Sequence, residues 1–187
     1  HFDYHYLMKE VEVKAILRDR ASVEEKLKAL GCSFEKAVTQ EDVVYAKNVG
    51  SLEAFNTNDV FLRIRVKDGE KVLFTLKKRG INDLDAIEHE TEIVSKDEMR
   101  EAITLMGYQE AVRISKSRVT TRYNDCEICL DIVEGLGSFI EVEKLVTEGD
   151  SEQIQIDLYN FLLSIGITES DKVRHGYDVL TLQKAGK

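Results

Sequence analysis

Apolar and charged residues alternate with a period of two through much of this chain, and a few segments switch to helical spacing. Leu7 to Ile16 reads as a first strand. Ser22-Val23-Glu24-Glu25 has the pattern of a capping box, opening a helix with Val23, Leu27 and Leu30 on one stripe and Gly31 as its stop. Phe34 to Ala46 reads as a long strand, residues 48–58 as a loop, and Val60 to Val66 and Lys71 to Lys78 as a hairpin turned by Asp68-Gly69. After a loop from Gly80 to Asp85, Ala86 to Val94 reads as the fifth strand. Ser95 to Glu98 caps a second helix carrying Met99, Ile103 and Met106. Tyr108 to Tyr123, Glu127 to Val133 and Phe139 to Val146 follow as strands, turned by Asn124-Asp125 and by Gly135-Leu136-Gly137. A third helix carries Ile154, Leu158, Phe161, Leu162 and Ile165 and stops at Gly166; Asp171 to Gln183 reads as a short helical closure.

The expected fold is therefore α+β: about eight strands, mostly joined by hairpins, with three amphipathic helices inserted. Eight antiparallel strands can close into a barrel wide enough for one small ligand. Residues 8–183 are expected to form a single domain. Residues 1–7, ahead of Met8, are expected to be an expression tag or a disordered leader, so His1 and His5 are not taken as ligands.

Within each strand one face is charged and the other apolar. Glu10, Glu12 and Lys14 share a face, as do Arg63 and Arg65, Thr75 and Lys77, and Glu90 and Glu92. Lys116, Arg118, Thr120 and Arg122 share one, Glu127, Cys129 and Asp131 another, and Glu141 and Glu143 a third. Two arrangements satisfy this pattern. The charged faces can point to water, with the apolar faces on helices; or the helices can lie outside and the charges line a closed interior. Like-signed neighbours favour the second, because a solvated face gains from mixing signs across strands. Two carboxylates about 7 Å apart repel by about 2 kcal/mol at an effective dielectric near 20, a cost that a bridging divalent cation removes. Clustered Arg and Lys suit phosphate oxygens. A polyanion bound together with Mg²⁺ or Mn²⁺ answers both signs, and this many cations match a triphosphate better than a single phosphate.

Composition narrows the field. The 187 residues are 43% apolar and 33% charged, with a net charge of −9 and no long basic run, which argues against nucleic-acid binding. No apolar run approaches the length of a membrane span, and with no secretory pattern the cytoplasm is the expected location. Three cysteines do not suggest a disulfide framework, and Cys126 and Cys129 fall on opposite faces of one strand, which disfavours a zinc site. There is no proline to interrupt strands or helices. His89 falls on the outward face and His175 in a turn. Tyr45 and Tyr177 are candidates to close a barrel end.

In order and spacing these segments resemble the CYTH superfamily, the triphosphate tunnel metalloenzymes. Glu10-Val11-Glu12-Val13-Lys14 is similar to its E-x-E-x-K signature, and Leu62-Arg63-Ile64-Arg65 to its R-x-R strand. Leu76-Lys77, Glu90-Thr91-Glu92 and Lys116 to Arg122 resemble its later charged strands. Asp131, with the run from Gly135 to Glu143, resembles its D…G-x-G-x-F-x-E-x-E segment, and Tyr177 to Leu180 its closing motif. The spacing Arg174-His175-Gly176-Tyr177 is one residue longer than that family's pattern and lacks its Ser. The resemblance implies an eight-stranded antiparallel tunnel in which Glu10, Glu12, Asp131, Glu141 and Glu143, with Glu90 and Glu92 at a second position, hold Mg²⁺ or Mn²⁺. It implies that Lys14, Arg63, Arg65, Lys77, Lys116, Arg118, Arg122 and Arg174 grip phosphate, and that Glu10, Glu12, Lys14 and Asp131 serve catalysis. The class IV adenylyl cyclase and thiamine triphosphatase branches are the most similar. The implied substrates are ATP, thiamine triphosphate or tripolyphosphate; a non-catalytic polyphosphate or nucleotide binder is the alternative. Exposed hairpin edges would suit a homodimer.

Overall fold

A computed structural model describes residues 9–147 and 149–186. The expectations for residues 1–7, and the Leu7–Met8 start of the first strand, fall outside them. In chain order the elements are β1 (Lys9–Ile16), α1 (Arg20–Ala29), β2 (Val38–Ala46), α2 (Leu52–Asn56), β3 (Val60–Lys67), β4 (Lys71–Arg79) and β5 (Asp85–Glu92). Then follow α3 (Lys96–Leu105), β6 (Gln109–Tyr123), β7 (Cys126–Val133), β8 (Gly137–Val146), α4 (Ser151–Ser164), a 3₁₀ turn at Glu169–Asp171, β9 (Lys172–Val173) and α5 (Tyr177–Lys184).

All pairings are antiparallel, and neighbours run β5-β4-β3-β2-β6-β7-β8-β1. The sheet closes on itself where Lys9, Glu10 and Val11 pair with Ile87, Ala86 and Asp85, giving an eight-stranded barrel with β9 attached outside to β1. That seam is short. Gln155 of α4 spans it, donating to the carbonyls of Glu12 and Leu84.

The alternation places the outward apolar faces under helices. Val13 and Ala15 of β1, Ile128 and Leu130 of β7, and Ile140 and Val142 of β8 form one core with Leu27 of α1 and Leu158 and Leu162 of α4. Leu62 and Ile64 of β3 pack with Tyr45 under Ile103 of α3. A third core lies inside the barrel at one end. There the inward positions turn apolar, and Val44, Phe61, Ile114, Val133 and Phe139 meet Tyr177, Val179 and Leu182 of α5 and Phe55 of α2. The barrel is stoppered at that end, and its charged interior opens at the other.

Several expected boundaries move. Asp19, not Ser22, caps α1: its carboxylate accepts from the Ser22 amide. β2 begins at Val38 rather than at Phe34, and the loop at 48–58 contains α2, the one helix not expected beside the three amphipathic helices and the helical closure, which is α5. β5 ends at Glu92 rather than Val94, and Met106 is a half-exposed helix terminus rather than part of the buried stripe. Ser95 caps α3 as expected, accepting from the Glu98 amide, and the Asp68-Gly69 and Asn124-Asp125 turns are present, with Asp68, Gly69 and Asn124 at positive φ.

Candidate active site in a closed charged barrel

The interior holds a cavity of about 550 Å³. Its wall takes Glu10, Glu12 and Lys14 from β1, Asp42 from β2, Arg63 and Arg65 from β3, and Thr75 and Lys77 from β4. Glu88 and Glu90 of β5, Lys116 and Arg118 of β6, and Glu141 and Glu143 of β8 complete it.

Register decides which carboxylates meet. Glu12 pairs directly with Glu143 on β8, and Glu143 pairs directly with Glu127 on β7, so three glutamates stand side by side across three strands. Like charges in that relation destabilise a sheet. Carboxylate oxygens of Glu10, Glu12 and Glu143 all lie within 4.8 Å of one another. Burial and then the Glu88 charge push the Glu10 carboxyl up to about 7. Burial and then the Glu10 charge push Glu143 well above the carboxylate range. An all-oxygen set with this repulsion fits a hard divalent cation such as Mg²⁺ or Mn²⁺.

Cations stand at 3.3 Å from Glu12 (Lys14), 3.5 Å from Glu143 (Arg118) and 4.0 Å from Glu10 (Lys77), and the other carboxylates are paired as well. Glu141 takes Lys14 at 2.9 Å and Arg118, and these charges outweigh the effect of burial and hold it well below its ordinary pKa. Asp131 is fully buried behind the wall. It accepts from Arg118 Nε and Nη2 at 2.8 and 2.6 Å and from the Tyr177 hydroxyl at 2.9 Å. Glu90 meets Thr75 at 2.9 Å and Arg63 at 3.4 Å. Glu92 is exposed and pairs with Lys71 at 3.2 Å. The acidic pair that β5 turns inward is Glu88 and Glu90, not Glu90 and Glu92. Glu88 lies 2.6 Å from Lys77; burial raises its pKa, but Lys77 and Arg63 prevail and bring it down to about 2.

The cations are graded by their partners. Burial lowers the Lys14 pKa, but Glu12 at 3.3 Å and Glu141 outweigh it and hold the ammonium above its ordinary value. For Lys116 burial prevails, reinforced by Arg118, and brings it down to about 8. Arg65 is fixed by a two-pronged pair with Asp42, 2.6 Å on each arm. Arg122 lines the open mouth with a mostly exposed side chain, 2.7 Å from Glu127. Arg174 is exposed and is not on the wall, so the structure does not bring it to the other cations.

Sequence reasoning missed Glu88 and the Asp42 clamp, although the strand parities of Glu90 and Arg65's partner strand contained both. It also missed Lys67, Arg79 and Gln40, which line the cavity. Cys129 is buried beside Glu127 and Glu143, and all three cysteines are free thiols. His89 is exposed on the outer face, while His175 pairs with Asp83 at 2.7 Å. No helix among the described residues is long and apolar enough to cross a membrane.

Known proteins share this architecture. A Methanocaldococcus jannaschii protein provisionally named an adenylate cyclase is 32% identical over 173 residues, covering 91% of this chain and 97% of that protein. The structure of the PH1819 protein from Pyrococcus horikoshii superposes with a TM-score of 0.78 at 31% identity, covering 94% of this chain and 99% of that one. A Hippeastrum protein, described as an adenylyl cyclase homologue with dominant triphosphatase activity, shares the fold with a TM-score of 0.59 at 20% identity, over 96% of each chain. The CYTH domain profile matches residues 8–177, and with the barrel, its charged interior and these relatives in place, the chain belongs to the CYTH domain family.

Proposed function

We propose that this chain is a metal-dependent enzyme that binds a triphosphate in its barrel and cleaves it at phosphorus, with conversion of ATP to cyclic AMP and pyrophosphate as the leading reaction. One observation carries the reading. Six cations from four strands, Lys14, Arg63, Arg65, Lys77, Lys116 and Arg118, line one closed space together with the clustered oxygens of Glu10, Glu12 and Glu143. The cations would neutralise phosphate oxygens along the chain, the arginines through paired donors. Glu10, Glu12 and Glu143 would hold Mg²⁺ or Mn²⁺, which when bound supplies further charge neutralisation at phosphorus. Lys14, kept protonated by two carboxylates, serves as a fixed positive charge rather than as a base. Asp131 and Asp42 orient Arg118 and Arg65, so the protein's main contribution is placement and electrostatics.

The 550 Å³ cavity exceeds the needs of a bare triphosphate and leaves room for a nucleoside, in the range of cavities that hold drug-sized ligands, about 300–1,000 Å³. In the leading reaction the ribose 3′ oxygen attacks the α-phosphorus and pyrophosphate departs. The relative from M. jannaschii supports that choice by its name.

A second reading, hydrolysis of the terminal phosphoanhydride by water, is favoured by a separate observation. The only aromatic rings on the described cavity wall, Phe61 and Tyr177, lie at the stoppered end, so the mouth offers no stacking surface for a base. The Hippeastrum protein shows that the same fold accommodates triphosphatase chemistry.

ATP and inorganic tripolyphosphate, each incubated with Mg²⁺ and with Mn²⁺, separate these readings. Cyclic AMP with pyrophosphate from ATP is the expected result. Orthophosphate from either substrate favours the hydrolase, and no product under any condition overturns both readings in favour of a binding protein.

A further inference from the structure

The floor of the cavity is supplied by the C-terminal helix, and one side chain of that helix touches three charged groups at once. Tyr177, at the first position of α5, is 7% exposed and stands edge-on to Phe139 with ring centroids 5.2 Å apart. Lys14 Nζ lies 4.1 Å from the centre of its ring, and Lys116 Nζ lies 4.9 Å from the same ring. Its hydroxyl donates to Asp131 Oδ2 at 2.9 Å. The same carboxylate takes both arms of Arg118 and lies 3.6 Å from Lys116.

We propose that Tyr177 is a positioning residue. Its ring and hydroxyl together fix Lys14, Lys116 and the Asp131–Arg118 pair at the bottom of the phosphate site, so α5 is part of the ligand-binding machinery and not only a stopper. This rests on the triphosphate reading above.

The two lysines depend on the ring to different degrees. Lys14 is also held by Glu12 and Glu141. Lys116 is buried, and among the described residues its ammonium makes no hydrogen bond; the Tyr177 ring and the 3.6 Å approach to Asp131 are what place it. A cation over an aromatic face is attracted strongly when both are out of water. The hydroxyl acts on the same ammonium indirectly. While it occupies Asp131 Oδ2, that oxygen is shared among Tyr177, Arg118 and Lys116. Without it Asp131 draws Lys116 toward the wall and away from the ligand.

The test measures tripolyphosphate binding by calorimetry in the presence of Mg²⁺, with thermal melting recorded for every variant. Tyr177→Leu is expected to raise the dissociation constant at least about tenfold, and Tyr177→Phe, which keeps the ring, about threefold. Leu182→Ala removes packing from the same helix without touching the cavity; it is expected to lower the melting temperature while leaving the dissociation constant within about twofold. In a Lys116→Met background the effect of Tyr177→Phe is expected to shrink to what passes through the Asp131–Arg118 pair, because the lysine it steers is gone. That pair serves even if Tyr177→Leu does not fold. Equal losses for Leu182→Ala and Tyr177→Leu, or a Tyr177→Phe effect unchanged by Lys116→Met, would overturn the positioning role. A wild-type protein that binds neither tripolyphosphate nor ATP would instead remove the triphosphate reading on which it stands.

Discussion

Lys14 Nζ lies 2.9 Å from Glu141 Oε1, and the two residues are direct cross-strand partners on β1 and β8. The pair is buried, and the lysine is also 3.3 Å from Glu12. Removing one member of a buried pair leaves the other uncompensated, which costs about 3–5 kcal/mol. Lys14→Met is therefore expected to lower stability by that amount in urea unfolding. Glu141→Gln is expected to cost less, because Lys14 retains Glu12 and Arg118 retains Asp131. The double variant should be more stable than the sum of the two losses predicts, by roughly 1 kcal/mol or more.

The Glu12–Glu143–Glu127 row predicts the opposite response for Glu143, whose neighbouring cation, Arg118 at 3.5 Å, is engaged more closely by Asp131 and Glu141. Burial and Glu10 both oppose the Glu143 charge. Glu143→Gln is expected to stabilise the ion-free protein, by about 1 kcal/mol, since it removes repulsion at a direct cross-strand position. The same change should abolish stabilisation by added Mn²⁺, which otherwise follows RT ln(1 + [L]/Kd). Melting curves in EDTA and in a manganese titration measure both effects. Glu92→Gln, on the exposed Glu92–Lys71 pair, should change neither by more than about 0.5 kcal/mol. A Glu143→Gln protein that is less stable in EDTA and still gains stability from Mn²⁺ would show that the Glu10, Glu12 and Glu143 cluster is not the metal site.

The alternation of side chains made the faces of the strands legible in the sequence, down to the grouping of Arg63 with Arg65 and of Lys116 with Arg118. It also carried the closed antiparallel barrel, because hairpin turns left few other ways to connect so many strands. Register was not legible. That Glu12 meets Glu143, and Glu143 meets Glu127, depends on the stagger of three strands far apart in the chain. Nor does parity say where a strand leaves the barrel. Glu88, Glu90 and Glu92 share one face, and only the position of the β4–β5 ladder puts Glu88 inside and Glu92 in water. Asp19 and Ser22 are both good helix caps, and the backbone, not composition, chose the earlier one. The helical closure near Asp171 to Gln183 and Tyr177 at a barrel end were legible, but the apolar ring they close on was not. Val44, Phe61 and Ile114 look like ordinary core residues, and only the placement of α5 shows that they close one end of the cavity.

Exposure separates the expected phosphate ligands. Arg63 lies on the cavity wall beside Thr75 and Glu90, whereas Arg174 is exposed and off the wall. Arg63→Ala is expected to raise the KM or dissociation constant for a triphosphate about 10- to 100-fold, the range for losing a charge-assisted contact in a closed site. Arg174→Ala should leave it within about twofold. Arg122→Ala should fall between them, with a loss that shrinks as salt increases, because its side chain is largely in solvent. Titration at low and at high salt checks the ranking.

The Asp42–Arg65 clamp predicts an acid response. Burial raises the Asp42 pKa, but the two hydrogen bonds and the charge of Arg65 prevail and hold it well below the carboxylate range. The folded protein thus binds the Asp42 proton more weakly than the unfolded chain, where the pKa is about 3.9. The clamp's contribution is fully present above that value and is lost as pH falls below it toward the folded pKa. Glu10 and Glu143 titrate in the opposite sense, their raised values withdrawing stability as pH rises from about 4.5. They are common to the wild-type protein and to an Asp42→Asn variant, so the difference between the two isolates the clamp. Asp42→Asn is expected to cost about 2–3 kcal/mol at neutral pH, where Arg65 loses its buried counter-charge. The gap should stay flat down to about pH 5 and narrow below pH 4. Arg65→Met should show the same convergence, because it removes the other half of one pair. Urea unfolding of the three proteins between pH 3 and 8 measures the gap, and a gap that remains constant down to pH 3 would mean that Asp42 keeps its ordinary affinity for a proton in the fold.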